Sequence, residues 1–530
     1  MSLRCFVCVC LVIAVGLGGC SRTPPALIEP GQAAALRSAG ADPGELERRD
    51  DLAVYDVDAD YHPEDGSVAG SVRMRWRNRT AMPLKDLVFQ CYANGPTWNG
   101  ARMEILSASI DGNPATAMPF ADGLGSRLVL PRPLPVGSQI QVDLTFRHTL
   151  STKGGYHGLG CRSGAIAVLH GWFPELALRF GDAWQVAPLP ELCDAARSWA
   201  YHATVDLRIP DGPAIPACGR VVEEDLPGPQ RVLHIASAFS RNLTVILGPW
   251  QMVRSDVDGV TVQVWHLDRP QAALRSQARA ALALRRCALI APDPRPELDV
   301  VLAGSLGDEV GGVESSGLVI IGDQAVNLFE PLGADAPAHQ LPALMLDMTV
   351  VHEVAHQWWY DLVGNDPLTS AWLDESLTSW TSCWILEGDS PATGTWAWQL
   401  TLMQSSMPDG KAYPDISVPL WESGDQVHGT QVYGRGPLAW QALRRQVGDA
   451  AWIGCLQDWA KEFRWRVATT PEWRAHLERH FGAAVIAPFW TRWIAGQGLA
   501  KKDLVEIARW RPSPSDQQKP STDTAKPIEK

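Results

Sequence analysis

His352-Glu353-Val354-Ala355-His356 and a further glutamate at 375 are the residues whose types and spacing could do chemistry. Side chains four apart share one face of a helix, so His352 and His356 can point at one metal ion. Two neutral imidazoles, one carboxylate and an open fourth position form the ligand set of catalytic zinc. Glu375 supplies the carboxylate if residues 373–386 form a second helix packed on the first. Glu353, beside the ligands but not one of them, can then reach a water on the metal and take its proton. The reading is metal-assisted hydrolysis with one Zn2+ per chain. A solvated surface helix with the same letters would bind nothing, but the flanking sequence argues for burial. An apolar run precedes the motif at 341–351, and Gln357-Trp358-Trp359 follows it. Burying His and Glu without partners would be costly.

The same stretch, HEVAHQWWYDLV followed by WLDESLTSW, resembles the signature of the aminopeptidase N family of zinc aminopeptidases. That signature is commonly written HELAHQWWGDLV and WLNEGFA, with eighteen residues between the second His and the Glu. Asp374 stands where Asn is usual and Ser376 where Gly is usual, both flanking the ligand. Upstream, Gly311-Gly312-Val313-Glu314-Ser315-Ser316-Gly317 lies where the family has GAMEN or GGMEYPG. The resemblance implies that Glu314 binds the free α-amino group of a substrate while the adjoining strand pairs with the peptide backbone. Physical chemistry permits both roles. An edge strand offers unpaired N–H and C=O groups to an extended peptide. Gly311 and Gly312 allow close backbone approach. A carboxylate beside the metal would capture an ammonium group and so measure off one residue. Val313 and Ser315 depart from the usual Met and Asn or Tyr, which bears on residue preference. Downstream, Val432-Tyr433-Gly434-Arg435-Gly436 is similar to the family's YEKG, whose Tyr donates a hydrogen bond to the developing oxyanion. That role falls to Tyr433, a neutral donor near pH 7.

These residues need a scaffold, and the chain reads as α+β with several domains. Residues 1–19 carry one positive charge, Arg4, and an apolar run at 5–17 too short to span a bilayer, the pattern of a signal peptide. The run ends Leu17-Gly18-Gly19-Cys20, which looks like a bacterial lipobox with Cys20 as the lipidated first residue of the mature chain. Residues 20–51, rich in Pro, Ala, Gly and charge, read as a lipid-anchored tether. Residues 52–254 show period-two alternation punctuated by Gly, Pro and Asp, an antiparallel β domain; the resemblance makes it the family's saddle-like N-terminal domain. From 255 to 511 helical spacing dominates around a few strands, a mainly helical, thermolysin-like catalytic domain in the related family. The tail at 512–530 is polar and Pro/Ser/Lys-rich, the composition of disorder.

Composition sets the outer bounds. With 530 residues the chain has ample core for two to four domains. A net charge of −13, with no basic stripe interleaved with aromatics, argues against nucleic acid as a partner. Seven cysteines follow Cys20, an odd number at scattered positions, and export would permit disulfides without assigning them. The 23 Trp have no evident role at this level. The leading expectation is a zinc aminopeptidase acting on peptides with a free N-terminus, held through Cys20 in a bacterial cell envelope and facing the periplasm or exterior. Two alternatives stand beside it. One is a zinc endopeptidase or another hydrolase of the same fold. The other is a non-catalytic peptide-binding lipoprotein that kept the fold.

Overall fold

The computed structural model describes residues 26–49, 51–190, 193–194, 197–302, 311–389, 394–404, 413–423 and 429–512. The signal segment, Cys20 and the tail from 513 lie outside the described residues.

The alternating segments form the expected β domain. Its main sheet has eight strands; Ala53–His62 and Ser67–Arg77 lie near the middle, and Arg220–Asp225 and Asn113–Ala115 form the two edges. Pairing is antiparallel throughout except where Ala53–His62 runs parallel to Tyr201–Pro210. Strand Ala53–His62 buries Tyr55, Val57 and Ala59 while Asp58 faces solvent, the alternation legible in its letters. A smaller sheet, Glu175–Leu176, Leu84–Gln90, Gly125–Leu134 and Ala117–Phe120, packs on the same core.

A second sheet begins at Gln251–Val257, which pairs with Val260–His266 and continues through Glu297–Leu302 and Leu318–Ile321 to the edge strand Gly312–Ser315. This change of sheet comes a few residues before the expected boundary at 254. Helices follow, and their shared core is built largely of tryptophan. Trp358, Trp359, Trp372, Trp380, Trp396, Trp440, Trp452, Trp459 and Trp473 are all fully buried. Trp440 stacks on Trp372 and Trp452 with ring centroids 5.4 and 5.9 Å apart. The unusual Trp content therefore fills the catalytic domain's core.

The expected tether differs. Pro30–Ser38 and Pro43–Arg48 are short helices docked on the body. Gln32 donates to Asp56 at 2.5 Å and to Thr204 at 3.0 Å on the main sheet. Glu45 accepts from Arg464 at 2.5 Å and from the Trp465 indole at 2.8 Å on the helical side. Each helix buries a single leucine, Leu36 or Leu46, in the core, and polar contacts complete the docking, so there is too little apolar periodicity to announce them. No helix among the described residues is long and apolar enough to cross a membrane.

Candidate active site

Helix Leu341–Ala355 carries the motif. Pro342 sits in its first turn, where a missing N–H costs nothing, and an almost continuous apolar sequence buries it on nearly every side. Asp347, buried, fixes its axis by accepting from Arg275 at 2.6 Å through both oxygens, with Arg279 in ion-pair contact at 3.0 Å. The helix ends at His356, and the chain coils back on itself: Asp361 N–H donates to the His356 carbonyl at 3.0 Å and Val363 N–H to that of Trp358 at 3.1 Å. Asp366 then caps the short helix Pro367–Ser370 and the chain enters helix Trp372–Asp389, buried from Trp372 through Leu386. The Trp359 indole donates to Thr381 at 2.9 Å and ties the two long helices together.

This return brings Glu375 to the histidines. His352 Nε2 lies 3.1 Å from Glu375 Oε2 and 3.1 Å from His356 Nε2, and His356 Nε2 lies 3.6 Å from Glu375 Oε2. Ligands at 2.0–2.1 Å from a tetrahedral zinc stand about 3.3 Å from one another, so the three donors fit one ion. His356 Nδ1 faces the Trp359 carbonyl at 2.9 Å, which fixes its proton there and leaves Nε2 bare for a metal. Burial opposes ionisation of Glu375, but the His356 and His352 imidazoles outweigh it and hold the carboxylate below its ordinary range.

Glu353 is buried, and its Oε2 has no hydrogen-bond partner among the described residues. Burial pushes its carboxyl well up, with His356 pulling the other way and Glu314 and Glu375 adding to the rise. Gly312 lies directly against it. A Cβ at Gly312 would run into the Glu353 carboxyl, whereas one at Gly311 would meet open space. Gly312 is thus required for the base to sit where it does, a tighter constraint than the expected approach of a peptide. Gly311 has no comparable neighbour.

Glu314 pairs in register with Val319 on the free-edged strand, and its carboxylate, that of Glu353 and a ring nitrogen of His356 lie within 4.8 Å of one another. Burial, then the charge on Asp194, pushes the Glu314 carboxyl well up. The neighbouring Ser315 turns away into an interior network with Asn242 and Thr244 at 3.2 and 2.9 Å. Of the other departures, Asp374 is buried and accepts the Glu375 N–H at 2.7 Å. Ser376 donates to the Val432 carbonyl at 2.8 Å, in space left by the missing side chain of Gly436.

Tyr433 lies in a π-helical turn, Gln431–Arg435, a geometry that recurs at functional sites. Its hydroxyl donates to Glu375 Oε1 at 2.6 Å, so in this state the phenol holds a metal ligand rather than facing an oxyanion position. Of the eight site residues expected from the sequence, seven lie on this helix pair and its cap, this edge strand or this turn, and Gly311 immediately precedes the strand.

One site residue carried no sequence signal. Asp194, from the β domain, reaches the same centre: burial and the charges of Glu375 and Asp374 push its carboxyl well up. Nearby in sequence, Arg197 donates to Asp366 at 2.6 and 2.8 Å, a buried pair that joins the β domain to the turn before the second long helix. Only the fold brings that loop to the metal motif.

An antiparallel β domain joined to a helical domain with a His-Glu-His-Glu centre defines the architecture of a two-domain zinc peptidase. Residues 283–493 match the model of the Peptidase family M1 domain. It is similar to Aminopeptidase M1-B of Oryza sativa subsp. japonica, 25% identical over 293 residues, covering 52% of this chain and 32% of that protein. The chain thus matches about a third of the length of that relative. The M1 zinc metallopeptidase of Deinococcus radiodurans shares the fold, with a TM-score of 0.58 and 18% identity over 85% of this chain and 94% of that one. A two-domain M1 zinc metallopeptidase variant bound to L-arginine superposes with a TM-score of 0.62 at 17% identity, over 85% and 95%.

Proposed function

We propose that this protein is a zinc-dependent aminopeptidase that removes N-terminal residues from peptides. The observation that carries this reading is Glu314, a buried carboxylate within the edge strand Gly312–Ser315, grouped with Glu353 and His356 beside the predicted zinc ligands. A peptide paired with that strand meets Glu314 one residue before the metal centre, so a free ammonium fits where a continuing chain would bury unpaired charge. The fold neighbour that holds L-arginine supports a pocket for a free amino acid.

His352, His356 and Glu375 would hold zinc, which supplies a Lewis acid for the scissile carbonyl and lowers the pKa of a water. Glu353 takes the proton of the attacking water through its unpartnered Oε2 and returns it to the leaving amine. Its raised affinity for a proton in the metal-free site suits a base that must also act as an acid. Glu314 receives the substrate ammonium, with Asp194 adding negative charge from the opposite domain. Tyr433 exchanges its bond to Glu375 for the developing oxyanion. Leu17-Gly18-Gly19-Cys20 supports a lipid anchor in a bacterial envelope; Cys20→Ala should release the protein from membranes without altering its activity.

The test is a panel of free and N-acetylated aminoacyl chromogenic amides. Cleavage restricted to the free amides and abolished by chelator is expected. Equal cleavage of the acetylated amides would overturn the aminopeptidase reading in favour of an endopeptidase. Stoichiometric zinc without turnover on any peptide would favour a binding module.

A further inference from the structure

Tyr360 combines two unfavourable features in one buried residue. Its φ of 128° lies where glycine moves freely and L side chains rarely go; the other positive-φ non-glycine residues described lie between 48° and 59°. Glycine is also what the related HQWWGDLV motif carries at this position. Its hydroxyl is buried without a hydrogen-bond partner among the described residues, on a side chain 3 % exposed. The backbone is pinned on both sides. Trp359 is held through its carbonyl by His356, and Tyr360 N–H donates to the Val363 carbonyl at 3.0 Å. Asp361 then accepts from Arg295 at 2.7 and 2.8 Å and from Ser316 at 2.6 Å. Strain and an unpaired donor persist together where the surroundings impose them, which is the pattern of functional sites.

The position of the ring says which function. It stands edge-on to His356, with centroids 6.4 Å apart and planes at 89°. The Glu314 carboxylate lies within 4.8 Å of a nitrogen on the same imidazole, so a buried donor and a buried acceptor flank one ligand. Of the charged groups around the phenol, Glu314 acts on it most strongly.

We propose that Tyr360 is a positioning residue for the amine anchor: its hydroxyl donates to the Glu314 carboxylate when that carboxylate holds a substrate ammonium, fixing the direction in which the ammonium is met. The inference rests on the reading of Glu314 as that anchor. Tyr360→Phe removes the hydroxyl and keeps the ring. Measured on zinc-loaded protein, KM for a free aminoacyl amide should rise about tenfold with kcat nearly unchanged, as expected for one lost hydrogen bond to a charged group. Calorimetric binding of L-leucinamide, measured in a Glu353→Gln background so that the amide is not hydrolysed, should weaken by the same factor. Zinc content and melting temperature should match the wild type. Unchanged KM and binding would overturn the proposal, as would an equal fall in kcat and kcat/KM. Failure of the underlying reading shows separately, as Glu353→Gln protein with Tyr360 intact that binds L-leucinamide and N-acetyl-leucinamide alike.

Discussion

Two regions of this molecule are rich in carboxylates and treat them in opposite ways. On the outer face of the eight-stranded sheet a broad groove is lined by Asp56, Asp58, Asp143 and Asp206. Each is answered by a partner: Arg75 at 2.9 Å, Arg208 at 2.7 Å, Arg73 at 2.8 Å and His234 at 2.7 Å. At the zinc motif Asp194, Glu314, Glu353, Asp374 and Glu375 converge instead, and no Lys or Arg ion pair to any of them occurs among the described residues. Only the two imidazoles offset their charge. The groove is therefore a neutralised surface, and the buried site is poised for cations. Concavity locates the first; unpaired charge locates the second.

The contrast can be broken at several points, beginning with the ligands. His352→Ala or His356→Ala should reduce zinc from one per chain to near zero and turnover to background, read by metal analysis and an amide assay. Gly312→Ala comes next. Its methyl would displace the Glu353 carboxyl, and a displaced base costs about 10²-fold in kcat with zinc retained. Gly311→Ala should leave kcat unchanged.

Carboxyls buried elsewhere sharpen the comparison through pH. Burial raises Glu175 to about 8 and Asp293 and Asp299 to about 7. Between pH 6.5 and 8 the folded state thus holds protons that the unfolded state has released, and stability must fall as pH rises. His148 and His170, lowered by burial to about 4, act in the opposite sense but only below pH 6.5. The melting temperature should therefore decline from pH 6.5 to 8, and Glu175→Gln should flatten that decline. The smallest effect belongs to the sheet face. Arg208→Ala breaks an exposed pair with Asp58 and should cost no more than about 1 kcal/mol in denaturant melts, with activity unchanged.

The central chemistry was legible because it is local. Two ligands sit one helical turn apart, and the third follows at a spacing that a tight return and a second helix convert into 3.1 Å. The β domain was legible from alternation. What escaped depended on long-range contact. Asp194 comes from the β domain, on a segment whose neighbour Arg197 pairs with Asp366 across 169 residues, and no local pattern encodes that approach. The helices within 30–48 are held by one buried leucine each, Leu36 and Leu46, and by Gln32 and Glu45 reaching distant partners, so their sequence read as a tether. Tyr360 stood in plain view inside the motif, but its strain is a property of φ and not of the letter.

The central claim is that Glu353 moves the proton at a zinc site it does not help to build. Glu353→Gln tests it most directly, with zinc content and hydrolysis of free aminoacyl amides measured on the same preparation. The account predicts one zinc per chain and a fall in kcat of about 10²–10⁴-fold. Substantial turnover with zinc bound, or loss of the zinc itself, would contradict it.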